Sequence, residues 1–200
     1  MDTDWEFALS QGSNHFEGRS AVQTTLRRIA NELSDLGVSY AIVGGMALFR
    51  YGVRRFTEDV DLLVTSHGLR IIHEELEGRG WRELSGNSKN FRDTETGVRV
   101  KFLIAGEFPG DGRPKPVSFP KPDTAGVEKD GIRYVTLETL IELKLASGMT
   151  NAGRLKDLAD VIELVKALKL TEAFAESLNP YVQEKFRELQ SAAMLDEREP

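Results

Sequence analysis

The 200-residue sequence contains no cysteine, which excludes a disulfide framework, a thiolate zinc site and a cysteine nucleophile. Histidine is scarce, and the three present, His15, His67 and His73, lack ligand spacing, so no chemistry is assigned to them. No apolar run approaches the roughly 20 residues needed to span a bilayer, and the acidic start Met1-Asp2-Thr3-Asp4 lacks a basic segment followed by an apolar stretch. The expectation is a cytoplasmic chain with no membrane partner. Positive charge is in deficit: 26 Lys and Arg against 32 Asp and Glu give −6, so any nucleic-acid contact is local rather than a general coat. With 40% hydrophobic and 29% charged residues, the composition is that of a folded protein rather than a disordered chain, a collagen-like fibre or a coiled-coil rod.

Residues 1–19 show no sustained period and read as a flexible arm. From Ala21 to Leu36 the apolar residues keep helical spacing, and Gly37 stands where a C-cap belongs. Tyr40 to Val43 reads as a short buried strand, followed by Gly44-Gly45 and a short helix from Met46 to Tyr51. Asp59 to Val64 is a β-rich run, with a helix over 67–79 capped by Ser66 and a short strand over 81–84. A hairpin follows, its arms 90–93 and 98–104 joined by Thr94-Glu95-Thr96-Gly97. Residues 105–126 hold five of the seven prolines and read as an ordered surface loop, neither helix nor central strand, whose Arg113, Lys115 and Lys121 are taken as solvated charges. A strand over 132–135, Thr136 as N-cap, and helices over 137–147, 154–168, 172–177 and 181–194 complete the chain. The expected fold is α+β: a small mixed sheet flanked by helices. The expected division is an arm over 1–19, an α/β core over 20–135 and a helical part over 136–200 that closes a cleft.

Most of the chemistry sits between Gly44 and Val64. Thirteen residues separate Gly45 from Asp59, and Asp59 and Asp61 lie in an otherwise apolar strand. Strand positions i and i+2 point to one face, about 6.5–7 Å apart, so the two carboxylates can converge on a divalent cation. Glycines at the start of a helix let a phosphate approach the backbone N–H groups. Arg55 adds positive charge and Thr57 a hydroxyl, which together point to a nucleoside triphosphate carried with magnesium.

The blocks Gly44-Gly45-Met46-Ala47 and Arg55-Phe56-Thr57-Glu58-Asp59-Val60-Asp61-Leu62-Leu63 resemble the signature of the DNA polymerase β-like nucleotidyltransferase superfamily. Thr136 to Lys144 and Arg154-Leu155-Lys156-Asp157-Leu158-Ala159-Asp160 are similar to the lysine helix and the Lys-Asp-x-x-Asp helix of abortive-infection (AbiE-type) nucleotidyltransferases. The resemblance implies that Asp59 and Asp61 are catalytic and hold magnesium, with manganese as an alternative. It implies a phosphate contact for Lys144 and a place in the nucleotide pocket for Gly44, Gly45, Arg55, Thr57, Lys156, Asp157 and Asp160. It further implies nucleotidyl transfer from a triphosphate to a hydroxyl on RNA or protein, in a toxin–antitoxin setting with a cognate antitoxin. Read without it, Lys144 is a lysine stretched along an apolar helix face, and Lys156 and Asp160 are an exposed i,i+4 pair.

One position departs from the family pattern. The superfamily supplies a third carboxylate from the neighbouring strand, and Lys101 stands there, with Glu107 and Asp93 as conceivable substitutes. Alternation places Lys101 on the face of Asp59 and Asp61, so an ion pair with one of them is expected, leaving the cluster at −1. The alternative reading is a nucleotide-binding pseudoenzyme or an interaction module.

Overall fold

The computed structural model describes residues 20–86 and 88–196, so the arm expected over 1–19 lies outside the described residues. Helix α1 (Ala21–Asp35) opens where the Ser20 hydroxyl accepts from the Gln23 N–H at 3.3 Å, and the chain leaves it at Gly37, whose φ of 65° is left-handed. Strand β1 (Tyr40–Ile42) leads through Val43 into α2 (Gly44–Arg50), which begins two residues earlier than expected because Gly44 already turns the backbone at φ 62°. Strand β2 (Asp59–Val64) is followed by α3 (Ser66–Leu76). Thr65, not Ser66, caps α3 by accepting from Gly68, and the helix stops at Leu76, short of the expected 79, because Glu77 turns extended and bridges Trp81.

Strand β3 (Trp81–Glu83) pairs antiparallel with β4 (Asn90–Asp93), which forms the expected hairpin with β5 (Arg99–Ile104), so that the three make a meander. The proline-rich stretch ends in one helical turn, α4 (Pro122–Ala125), and in β6 (Gly126–Lys129), which pairs with β7 (Ile132–Val135). Proline suits the first position of a helix because its missing N–H has no partner there. Strand β6 escapes a sequence reading because it is an edge strand with mostly exposed side chains and no apolar face. Helices α5 (Leu137–Thr150), α6 (Leu155–Leu168) and α7 (Pro180–Asp196) complete the described residues, and residues 172–177 form 3-10 turns rather than an α-helix.

Among the described residues, seven strands are ordered β3-β4-β5-β2-β1-β7-β6. β2 lies antiparallel to β1 and parallel to β5, and β1 is parallel to β7. Alternation divides each central strand between two cores. Val60, Leu62 and Val64 of β2 and Val100, Phe102 and Ile104 of β5 pack with α1 and α3. Leu63 of β2, with Ala41 and Val43, packs with α2 and the three C-terminal helices. Each fully buried aliphatic or Phe side chain contributes roughly 1.5–3 kcal/mol, so reversing the face of β2 or β5 would forfeit several of these at once. The register is thereby fixed, and with it the face on which Asp59 and Asp61 stand. Among the described residues, no helix is long and apolar enough to cross a membrane.

Candidate functional site

Asp59 and Asp61 share the face of β2 turned toward the C-terminal helices, beside the start of α2. The Val43 N–H donates to the Asp61 carbonyl at 3.0 Å, which draws Gly44 against the Asp61 side chain. A Cβ on Gly44 would collide with the Asp61 carboxylate, and the positive φ there already favours glycine. A Cβ on Gly45 would lie 2.8 Å from Thr57 Oγ1, so the two glycines admit one acid and one hydroxyl to the same corner. Burial pushes the Asp61 carboxyl above the usual carboxylate range; Lys101 pulls it back and Asp59 pushes it further.

Strand β5 lies in register beside these acids, Arg99 opposite Asp59 and Lys101 opposite Asp61. The face expected for Lys101 is the observed one, but its ion pair is not. Among the described residues Lys101 makes no ion pair with either aspartate within 4.0 Å. Arg99 takes that role, with Nε donating to Asp59 Oδ1 at 3.1 Å and Nη2 to Oδ2 at 2.5 Å. The four groups therefore sum to zero rather than −1. The same alternation that places Lys101 places Arg99 two residues earlier, so the signal was in the sequence. Neither conceivable substitute for the third acid joins them: Asp93 is fully buried with Thr25 and Arg28, and Glu107 pairs with Lys89. Among the described residues, no three His, Asp or Glu side chains gather as a metal-holding group.

The second cluster joins α5 to α6. Lys144, 7% exposed, donates to Asp157 at 3.2 Å and to Asp160 at 2.6 Å, and is buried rather than stretched toward solvent. Asp157 also accepts from Ser147 at 2.7 Å and from Arg154 at 2.8 Å. Asp160 receives Arg55 Nη1 at 2.5 Å on each oxygen, tying the loop before β2 to α6 across 105 positions of sequence. Buried carboxylates persist in this way only when paired and hydrogen-bonded. Burial pushes Asp157 up, but the Lys144 charge, the Ser147 hydroxyl and Arg154 outweigh it and hold the carboxyl below its ordinary value. The alternative Lys156–Asp160 pair is not formed: Asp160 turns inward, and Lys156 is exposed.

Both clusters border one cavity of about 980 Å³. Gly44, Gly45, Arg55, Thr57, Asp59, Asp61, Lys144, Lys156 and Asp157 line it, while Asp160 stands behind the wall and reaches it through Arg55 and Lys144. Sequence reasoning missed Arg99 and Ser147, and it missed the apolar end formed by Leu103, Phe108, Phe119, Leu140 and Leu143. Phe108 and Phe119 come from the proline-rich loop, whose Lys115 is buried rather than solvated, its ammonium on the Pro109 carbonyl at 2.6 Å and Asp111 at 2.5 Å. Asn151 donates to the Gly110 carbonyl at 3.2 Å and fastens the loop to the end of α5. Among the described residues, six cationic side chains line the cavity (Arg55, Arg99, Lys101, Lys144, Arg154, Lys156) against four carboxylates (Glu58, Asp59, Asp61, Asp157). Asp160, paired behind the wall with Arg55 and Lys144, offsets one of these, which leaves a local excess of one positive charge in a chain of net −6.

No protein-family model matches the sequence, and no curated protein does. Solved structures do resemble it. ANT(2'')-Ia, crystallised with adenylyl-2''-tobramycin, is 13% identical, with 87% of this chain and 97% of that one covered at a TM-score of 0.52. The solution structure of the same antibiotic-resistance factor is 14% identical and covers 88% of this chain and 95% of that one, also at 0.52. An antigenic nucleotidyltransferase-like protein from Paracoccidioides brasiliensis is 17% identical over 72% of this chain and 75% of that one, at 0.48. At such identities likeness speaks to architecture, and the chain has the nucleotidyltransferase fold.

Proposed function

We propose that this protein binds a nucleoside triphosphate in the cleft between β2, β5 and α5 and transfers a nucleotidyl group from it to an acceptor hydroxyl. The observation that carries the reading is the concentration of positive charge around Asp59 and Asp61 in an otherwise acidic chain. Arg55, Lys144, Arg154 and Lys156 balance phosphate charge. Two of the three Lys144 N–H donors are taken by Asp157 and Asp160, which leaves one for a ligand. Gly44 and Gly45 admit phosphate oxygens close to the backbone, and the Phe108 and Phe119 end takes the base and excludes water.

The donor set fits one divalent cation, magnesium or manganese, on Asp59 and Asp61, because the carboxylates share a face and Gly44 leaves room beside Asp61. When bound, it supplies charge neutralisation at the reacting phosphate. A second cation has no third carboxylate, since Lys101 occupies that register position. The family resemblance supports RNA or protein as the acceptor and an antitoxin as the partner. The Arg99–Asp59 pair favours a second reading, nucleotide binding with little or no turnover.

The test incubates wild type and Lys101→Asp with α-labelled triphosphates, magnesium or manganese, bulk RNA and lysate protein. The expected result is binding by both, slow transfer by wild type and faster transfer by Lys101→Asp. Failure of both to bind any triphosphate rejects the proposal, and binding without transfer in either selects the second reading.

A further inference from the structure

Asp59 is not an open ligand. Both of its oxygens face the fork of Arg99, and Asp61 lies beside Lys101 in register, so a bare divalent cation meets a neutral cluster with two positive neighbours. A like charge this close opposes entry of a cation in the same way that it opposes protonation of a base. The latch is nonetheless weakly held. The Arg99 side chain is 47% exposed and that of Asp59 30% exposed, and ion pairs open to solvent hold loosely. Arg99 also lines the cavity that Gly44, Lys144 and Arg154 line, so phosphate oxygens entering there offer the guanidinium a second, more highly charged partner.

We infer that Arg99 is a phosphate-binding residue held in reserve on Asp59, which keeps a cation off the acid pair until a triphosphate draws the guanidinium away, so that cation and nucleotide enter together. The inference rests on the nucleotide binding proposed above. Linkage then requires that each ligand raise the other's affinity by the same factor. Arg99 acts twice, screening the acids before the ligand arrives and gripping phosphate afterwards.

The test measures Mn2+ binding by electron paramagnetic resonance, for the full chain and for Arg99→Gln, with and without a non-hydrolysable triphosphate analogue. Calorimetry of the analogue in EDTA accompanies it. Wild type should bind Mn2+ at least about tenfold more tightly with the analogue than alone, the size of an ordinary coupling. Arg99→Gln should bind Mn2+ alone several-fold more tightly than wild type and bind the analogue in EDTA several-fold more weakly, the loss of one charged phosphate contact. Arg99→Lys, which keeps the charge but not the fork, should fall between them and guards against a folding defect in the glutamine variant. Equal Mn2+ affinity of wild type with and without the analogue would overturn the inference, as would an Arg99→Gln protein that changes neither measurement. If no form binds the analogue, the proposed function falls, while Mn2+ binding gained by Arg99→Gln alone still decides whether Arg99 screens the acids.

Discussion

Replacing Lys144 with methionine removes a buried charge while keeping most of the side-chain volume, and so isolates the electrostatic share of the α5–α6 network. Taking one partner from a buried ion pair costs about 3–5 kcal/mol when the other is left uncompensated. Neither carboxylate is left so here. Asp160 keeps Arg55 at 2.5 Å, and Asp157 keeps Ser147 at 2.7 Å and Arg154 at 2.8 Å. Three cations and two acids become two and two, so no net charge remains buried, and the methionine thioether takes the place of the lysine stem. The expected loss therefore falls below that range, at about 2 kcal/mol. That is a fall in melting temperature of about 4–8 °C for a domain of this size. Its pH dependence follows from Asp157. A carboxyl held below its ordinary value contributes stability above its unfolded pKa, near about 3.9, and loses it as pH falls through the folded value. Lys144 is the largest of the influences that hold Asp157 down, so the gap between wild type and Lys144→Met should be widest at neutral pH and narrow below about pH 4. Urea unfolding at pH 7 and in a series down to pH 3 measures both. A loss above about 4 kcal/mol at pH 7 would show that Arg55 and Arg154 do not compensate. A gap unchanged across the acid series would remove the ion-pair argument altogether.

Asp61→Asn should raise the melting temperature at pH 7. Burial lifts the Asp61 carboxyl, a group so raised stabilises most below its unfolded pKa and loses that contribution as pH rises through the folded value, and the amide escapes the cost of ionisation. Differential scanning calorimetry should show the gain at pH 7 and none near pH 3, while metal-dependent triphosphate affinity falls; a lower melting temperature at pH 7 counts against the burial argument. Gly44→Ala should cost about 1–2 kcal/mol for its left-handed backbone, with a further loss for displacing the Asp61 carboxylate, read from urea midpoints. A neutral result would mean that the β1–α2 turn relaxes freely.

The central sheet was legible because its apolar residues alternate where burial demands it. Val60, Leu62 and Val64 fix the face of β2, and Val100 and Phe102 fix that of β5, so the shared face of Asp59, Asp61 and Lys101 followed from parity alone. Arg99 followed from the same parity and was overlooked because the family pattern directs attention to a single position. The Arg55–Asp160 contact was not legible, since spacing within a helix says nothing about a partner 105 residues away. For the same reason an exposed i,i+4 pair for Lys156 and Asp160 was as natural a reading as the buried one that formed for Asp160. Capping by Thr65 rather than Ser66 turned on neighbouring hydroxyl residues of equal aptitude, and β6 had no apolar face to announce it.

The loop that carries Phe108 and Phe119 has a further property. Each of its five prolines follows an aromatic or basic residue: Phe108-Pro109, Arg113-Pro114, Lys115-Pro116, Phe119-Pro120 and Lys121-Pro122. A residue before proline is confined to extended backbone, as Lys121 shows at φ −71° and ψ 137°, so both cavity-lining aromatics are borne on stiffened chain. Lys115 and Asn151 then pin that chain to itself and to α5. A segment with almost no regular secondary structure thus behaves as masonry rather than as a door. Under the proposed function, the apolar end would then select a ligand by the outline that these contacts hold rather than by closing around it.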